Sequence, residues 1–124
     1  IAEAASDADI LLEALPESLE IKTDFYTKLS TVAPDKTILT SNSSTFTPVD
    51  FAEITGRPER FLTLLFTNGL WDDNMGEVIG HDETDQKVFD RVVHFVSEIG
   101  LVPLPIYKGQ IDHVINSMRI PLFV

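Results

Sequence analysis

The sequence predicts an α/β fold, in which helices cover a mainly parallel sheet. Short apolar runs rich in β-branched residues alternate with longer segments whose apolar residues recur at helical spacing. Parallel strands need long crossover connections, so this alternation is typical of a parallel sheet flanked by helices. The chain has 124 residues, 44% of them hydrophobic, which is enough for one domain or part of one.

Five short apolar runs predict the strands of this sheet. They are residues 9–14, 37–41, Phe61–Phe66, Met75–Ile79 and 101–106. Leu15-Pro16 closes the first run, and Pro16 disfavours helical geometry in the residue before it, so we expect residues 9–14 to form a buried strand. The last run contains Pro103 and Pro105, which lack backbone N–H groups, so we expect it at an edge of the sheet.

The first predicted helix follows Ser18 and ends near Pro34. Its predicted core face consists of apolar residues at helical spacing, while charged residues occupy the other faces. The apolar residues are Ile21, Phe25, Leu29 and Val32, and the charged ones are Lys22, Asp24 and Lys28.

Two further helices are predicted from their ends. Thr47 before Pro48 indicates a helix start, and this helix should end near Gly56. Thr84 should cap the clearest helix, which Gly100 terminates. The apolar stripe of that helix is Val88, Val92, Phe95, Val96 and Ile99.

Composition excludes several classes of partner. The formal net charge is −11, the wrong sign for binding nucleic acid or an anionic membrane. No window approaches the roughly 20 apolar residues of a membrane span, and the N-terminus does not resemble a signal peptide. There is no cysteine, hence no disulfide framework and no thiolate metal site. We therefore expect a cytoplasmic protein without nucleic-acid or membrane partners and without a metal.

Four stretches of the chain together carry a resemblance. They are Ala-Asp-Ile-Leu-Leu-Glu-Ala-Leu-Pro-Glu at 8–17, Ser-Asn-Ser-Ser at 41–44, Gly-Arg-Pro-Glu-Arg-Phe at 56–61 and Glu-Val-Ile-Gly at 77–80. In this order and spacing they resemble the 3-hydroxyacyl-CoA dehydrogenases, especially the bacterial short-chain type, over about residues 8–122.

The resemblance implies a domain organisation and a function. Residues 1–109 would be the second half of a Rossmann-like NAD-binding domain, and residues 110–124 the linker and truncated start of a C-terminal helical domain. The intact protein would be a homodimeric oxidoreductase of fatty acid metabolism, transferring a hydride between NAD and C3 of an acyl-CoA. The opening Ile1 and the apolar end at Val124 also suggest a piece of a longer protein.

The expected NAD contacts are Glu17, Lys22, Ser44 and Asn68, by resemblance. Glu17, Ser44 and Asn68 each follow a predicted strand, where ligands of open α/β sheets bind. The alternative is that these are ordinary helix-start charges and loop polar groups. No glycine precedes Gly56, so the glycine-rich loop that binds the pyrophosphate is not in this sequence.

The resemblance also implies the catalytic groups: Glu77, Ser44 and Asn116, with Leu65 at the position of the family's general base, a histidine. Leucine cannot accept a proton, and loss of a positioned base typically lowers the rate about 10²- to 10⁴-fold. Leu65 therefore raises a second hypothesis, a catalytically impaired relative that acts as a nucleotide- or acyl-CoA-binding module.

Other residues bear on that choice. Asp72 and Asp73 follow Trp71 where short-chain relatives tend to have a basic residue, and they would repel a phosphorylated substrate. With Leu65, these two acids favour the second hypothesis. Because one fold commonly hosts several functions, a third hypothesis is a family member recruited to another alcohol substrate or to a structural role. The histidines are His81, His94 and His113; we expect the first two to be structural or at the surface, and none to replace the missing base or form a metal site.

Overall fold

In the part of the chain that the structure describes, the sheet has five strands, which lie side by side in chain order. A computed structural model describes residues 1–66 and 70–107. The strands are β1 (Ile10–Glu13), β2 (Ile38–Ser41), β3 (Phe61–Phe66), β4 (Met75–Ile79) and β5 (Val102–Ile106). Neighbouring strands are parallel except β3 and β4, which are antiparallel. The predicted mainly parallel, Rossmann-like sheet is confirmed, and β5 lies at the predicted edge.

The helices are α1 (Ala2–Ala5), α2 (Leu19–Val32), α3 (Leu70–Asp73) and α4 (Gln86–Glu98). The two short ones were not predicted. Helix α4 is confirmed, but its cap is Asp85, whose carboxylate accepts hydrogen bonds from two backbone N–H groups of the first turn. The expected cap, Thr84, instead donates its hydroxyl to the Phe61 carbonyl. Thr84 and Asp85 are adjacent, and both have side chains that can cap a helix. Because Thr84 contacts Phe61, Asp85 is the residue that caps α4.

Two apolar clusters pack on the opposite faces of the sheet, because alternate residues of a strand point to opposite sides. Helix α4 covers one face with Val88, Phe89, Val92 and Val96, against Ile38, Leu62, Leu64 and Val78. The other face carries Leu39 and Phe61, which pack with Tyr26, Leu29 and Ala33 of the α2 segment and with Phe51 and Ala52. Burial of a Leu or Phe side chain typically stabilises a fold by about 1.5–3 kcal/mol.

The predicted helix between Thr47 and Gly56 is wrong in type. The segment contains a short 3-10 helix, Pro48–Asp50, followed by turns. Its start was predicted correctly, because Asp50 accepts hydrogen bonds from the backbone N–H and hydroxyl of Thr47. Phe51 and Ala52 are buried against the core on the α2 side. Packing of these two residues outweighs the local preference for a continuous helix.

The predicted core face of α2 is only half right: Leu29 is buried and Phe25 packs against the core, but the other two predicted residues do not. Ile21 and Val32 are 45% and 39% exposed, whereas Lys22 and Tyr26 are fully buried beside Leu29. The Lys22 ammonium lies 2.7 Å from the carboxylate of Glu13, at the end of β1. A buried lysine is tolerated only with such a partner. The spacing of apolar residues did not predict this face, because Lys22 and Tyr26 are polar and are buried only through their hydrogen bonds to Glu13 of β1.

Two lysines of α2 give a direct test of this burial. Lys22 and Lys28 each lie 2.7 Å from a carboxylate, but the Lys22–Glu13 side chains are at most 1% exposed and those of Lys28–Asp24 are 62% exposed. We expect Lys22→Met to lower the free energy of unfolding by about 3–5 kcal/mol, because it leaves a buried carboxylate without its cation. Lys28→Met should cost less than about 1 kcal/mol.

The measurement is urea-induced unfolding of the intact protein carrying either substitution. Equal losses for the two variants would contradict the assignment of Lys22 to the core.

Candidate functional site

The carboxyl ends of β1, β2 and β3 meet at one edge of the sheet, since these strands are parallel. Asn42, directly after β2, joins them: its backbone N–H donates to the Glu13 carbonyl at 2.8 Å, and its side-chain carbonyl accepts from the Phe66 N–H at 3.0 Å. In the sequence, Asn42 is only a member of the Ser-Asn-Ser-Ser stretch, with no predicted role. The structure identifies it as the residue that fixes this edge.

Two of the predicted NAD contacts, Glu17 and Ser44, come together at this edge. The Glu17 carboxylate accepts a hydrogen bond from the Ser43 hydroxyl at 2.8 Å and another from the backbone N–H of Ser44 at 2.9 Å. Ser43 is buried, while Glu17 and Ser44 are exposed. The loop after β1 and the loop after β2 are thus tied to each other by an accessible carboxylate.

The third predicted contact, Lys22, lies beneath that junction. Its ammonium donates to the Glu13 carboxylate at 2.7 Å and to the Leu15 carbonyl at 3.2 Å. Glu13 also accepts hydrogen bonds from the hydroxyls of Tyr26 and Ser41, both at 2.9 Å, and from the Leu15 N–H. We call this set of five residues, Glu13, Leu15, Lys22, Tyr26 and Ser41, the Glu13 network. A direct contact between Lys22 and NAD stays a prediction.

The charge of the Glu13 network is fixed by its hydrogen bonds. Burial pushes the pKa of Glu13 upward, but hydrogen bonds from Lys22, Leu15, Ser41 and Tyr26 together outweigh burial and hold that pKa below its ordinary value. Burial, followed by the negative charge of Glu13, raises the pKa of Tyr26 far above its usual range. Glu13 is therefore an ionised acceptor and Tyr26 a permanent donor.

The predicted catalytic glutamate lies beside the position of the missing base. Leu65 of β3 and Glu77 of β4 are directly opposite in the antiparallel ladder, so their side chains lie on the same face of the sheet. Leu65 is 4% exposed and Glu77 is fully buried. The structure therefore brings this pair together, with an aliphatic side chain where a proton acceptor was expected. Asn68, Asn116 and His113 lie outside the described residues.

The remaining histidines make local contacts, as expected. The His81 ring lies 3.0 Å from the Phe61 carbonyl through Nε2 and accepts a hydrogen bond from the Glu83 N–H through Nδ1, which is a structural role. His94 is 68% exposed and faces Glu98 of the same helix. Within residues 1–66 and 70–107, no three His, Asp or Glu side chains are arranged to hold a metal ion. No helix in these same ranges has the length and apolar character to cross a membrane.

Acid should weaken the fold through Glu13. Because its pKa is lowered in the folded state, the unfolded chain takes up the proton first as the pH falls. The contribution of Glu13 to stability is therefore complete above the ordinary glutamate value of 4.5 and is lost as the pH falls through the lower, folded value. Unfolding free energies should decline more steeply with acid for the natural protein than for Glu13→Gln. Parallel pH profiles of the two proteins would contradict this charge assignment.

Comparison with known proteins places this arrangement in a family. The family model described as "3-hydroxyacyl-CoA dehydrogenase, NAD binding domain" matches residues 1–109. Mitochondrial hydroxyacyl-coenzyme A dehydrogenase of Mus musculus is 29% identical over 99% of this chain and 39% of its own length. For 3-hydroxybutyryl-CoA dehydrogenase of Clostridioides difficile, identity is also 29%, over 97% of this chain and 42% of the relative.

A solved structure extends the comparison. It is described as a diketoreductase with substrate-directed dual catalysis of dicarbonyl compounds, and it is 48% identical with a TM-score of 0.93, covering 98% of this chain and 43% of that one. The present chain thus spans about two-fifths of the length of the relatives it matches. By its match to the family model over nearly all its length, the chain belongs to the family of NAD-binding domains of 3-hydroxyacyl-CoA dehydrogenases.

Proposed function

We propose that the intact protein is an NAD-dependent oxidoreductase of the 3-hydroxyacyl-CoA dehydrogenase type. The observation that carries this proposal is the junction of Glu17 with Ser43 and Ser44 at the carboxyl edge of parallel strands. Ligands of open α/β sheets bind at such an edge. Two of the residues expected to contact NAD are both exposed there and linked to each other.

The residues at this edge fit the ribose and nicotinamide end of NAD. An exposed carboxylate and a serine hydroxyl can pair with ribose hydroxyls, which donate and accept hydrogen bonds. Donors for the pyrophosphate would have to come from a glycine-rich loop, and this sequence has no glycine before Gly56. NAD, when bound, supplies or accepts the hydride. In this proposal the chain's own residues bind and orient the cofactor.

The proposed substrate is an acyl-CoA, on the strength of the named relatives. A specific observation favours a second candidate, a small dicarbonyl or hydroxy compound without a phosphate group. The 48% identical structure is that of a diketoreductase. Asp72 is exposed and Asp73 partly exposed on α3, and two acids repel the phosphates of coenzyme A. The acidic chain adds to this repulsion.

Leu65 keeps the impaired-relative hypothesis open. The family reaction requires a base at the substrate hydroxyl, and a leucine side chain has no lone pair to offer. A protein of this kind would bind cofactor or substrate without turnover. Turnover assays decide between these readings.

The decisive variant is Leu65→His, assayed in the intact protein expressed from its whole natural gene. An imidazole at this position would lie against Glu77 and could accept the substrate proton. We expect NADH oxidation with acetoacetyl-CoA to rise about 10²-fold over the natural protein. Leu65→Gln is the matched control, because it introduces a polar side chain without a base of suitable pKa.

The natural protein should be assayed in parallel with a dicarbonyl compound that lacks CoA. Rapid turnover of that compound by the natural protein, with none of acetoacetyl-CoA, would select the second candidate. Rapid turnover of acetoacetyl-CoA by the natural protein would refute the claim that Leu65 impairs the site. If every form binds NADH but neither substrate turns over, the protein is a binding module. A homodimer, a role in fatty acid metabolism and a cytoplasmic location remain predictions for the intact protein.

A further inference from the structure

The Glu13 network holds both backbone polar groups of one residue, Leu15. Its carboxylate accepts the Leu15 N–H, and the Lys22 ammonium donates to the Leu15 carbonyl. Leu15 belongs to the turn between β1 and α2 and stands two residues before Glu17. We propose that Glu13, Tyr26 and Ser41 are positioning residues, which fix this turn so that Glu17 faces the cofactor. The inference deepens the proposed function and rests on it.

Two layers of hydrogen bonds connect the same pair of turns. The buried layer runs from Glu13, at the end of β1, to the Ser41 hydroxyl, its register partner at the end of β2. The accessible layer runs from Glu17 to the hydroxyl of Ser43 and the backbone of Ser44. A shift of the buried layer must therefore move the accessible one, because a single residue separates Leu15 from Glu17 and Ser41 from Ser43.

The stability of the fold alone does not require a buried ion pair between Glu13 and Lys22. A buried ion pair can often be replaced by apolar residues of similar size without loss, so an ionic centre here is weak support for the fold as such. What an apolar replacement would lack is any partner for the N–H and C=O of Leu15. Charge-assisted hydrogen bonds are directional, and the two that Glu13 and Lys22 make to Leu15 set the orientation of its backbone.

Lys22 receives the same positioning role. The Lys22 side chain is 1% exposed, and its ammonium donates to Glu13 and to the Leu15 carbonyl. The ammonium is therefore buried below the accessible surface of the site. Through the Leu15 backbone, Lys22 then acts on the turn that leads to Glu17, a role separate from the predicted direct contact with NAD. Tyr26 completes the network. Its hydroxyl, which burial keeps protonated, donates a hydrogen bond to the second carboxylate oxygen of Glu13, and the Ser41 hydroxyl donates to the same oxygen.

The test deletes single buried hydroxyls in the intact protein. Tyr26→Phe and Ser41→Ala each remove one donor to Glu13 and leave the remaining donors in place. Thr40→Val is the matched control: Thr40 is equally buried and adjacent to Ser41, but it points to the opposite face and donates to the Leu11 carbonyl. Ser41→Thr restores a hydroxyl at the network position.

The readouts are the dissociation constant for NADH, from its fluorescence, and the thermal unfolding midpoint. We expect Tyr26→Phe and Ser41→Ala to raise the dissociation constant about 10-fold, because a misplaced turn disfavours the bound geometry. Thr40→Val should stay within about twofold of the natural value while losing a similar amount of thermal stability. Ser41→Thr should recover most of the affinity.

Three results would overturn the proposal. If Tyr26→Phe and Ser41→Ala bind NADH as the natural protein does, the network serves the fold only, and the proposed function stands. If Thr40→Val weakens binding as much as they do, affinity follows general stability and not the position of the turn. If the natural protein fails to bind NADH at all, the inference falls together with the proposed function.

Discussion

The ionised side chain of Glu13, buried where β1 ends, is the constraint on which the rest of this structure depends. A carboxylate without water must be compensated by donors, and this one receives them from α2, from the end of β2 and from its own turn. Those requirements fix the rotation of α2 about its axis and its distance from the sheet. The same requirements fix the turn that leads to Glu17.

The consequences extend across the carboxyl edge of the sheet. Because Glu13 and Ser41 are register partners, the turn after β1 and the loop after β2 begin at the same level. Asn42 then links that loop to the end of β3. The edge is therefore a connected set of hydrogen bonds, and a ligand bound there would meet groups that are already oriented. Preorganisation of this kind reduces the free-energy cost of ordering the site's side chains and loops when a ligand binds.

The pair of Leu65 and Glu77 lies next to that connected edge, because Asn42 accepts a hydrogen bond from the N–H of Phe66, the residue after Leu65. Both side chains are buried, and the antiparallel junction of β3 and β4 sets them opposite each other. An edge with exposed polar groups, proposed to bind the cofactor, thus lies beside an aliphatic side chain at the position where the resemblance places the family's base. In the proposed function, cofactor binding and proton transfer would depend on residues of different strands, so one could be lost without the other.

The sequence by itself determined the fold class, the five strands and the two long helices, because periodicity and end signals are local properties of the chain. It also pointed to Glu17, Ser44 and the Leu65 position through the order and spacing of short stretches. Tertiary structure alone decided which face of α2 is buried, since Lys22 and Tyr26 become core residues only through Glu13. It likewise decided that residues 47–56 fold as a 3-10 helix and turns, and that Asp85 caps α4. In each case the residues that determine the outcome lie on another element of the fold, so the local sequence pattern does not predict it.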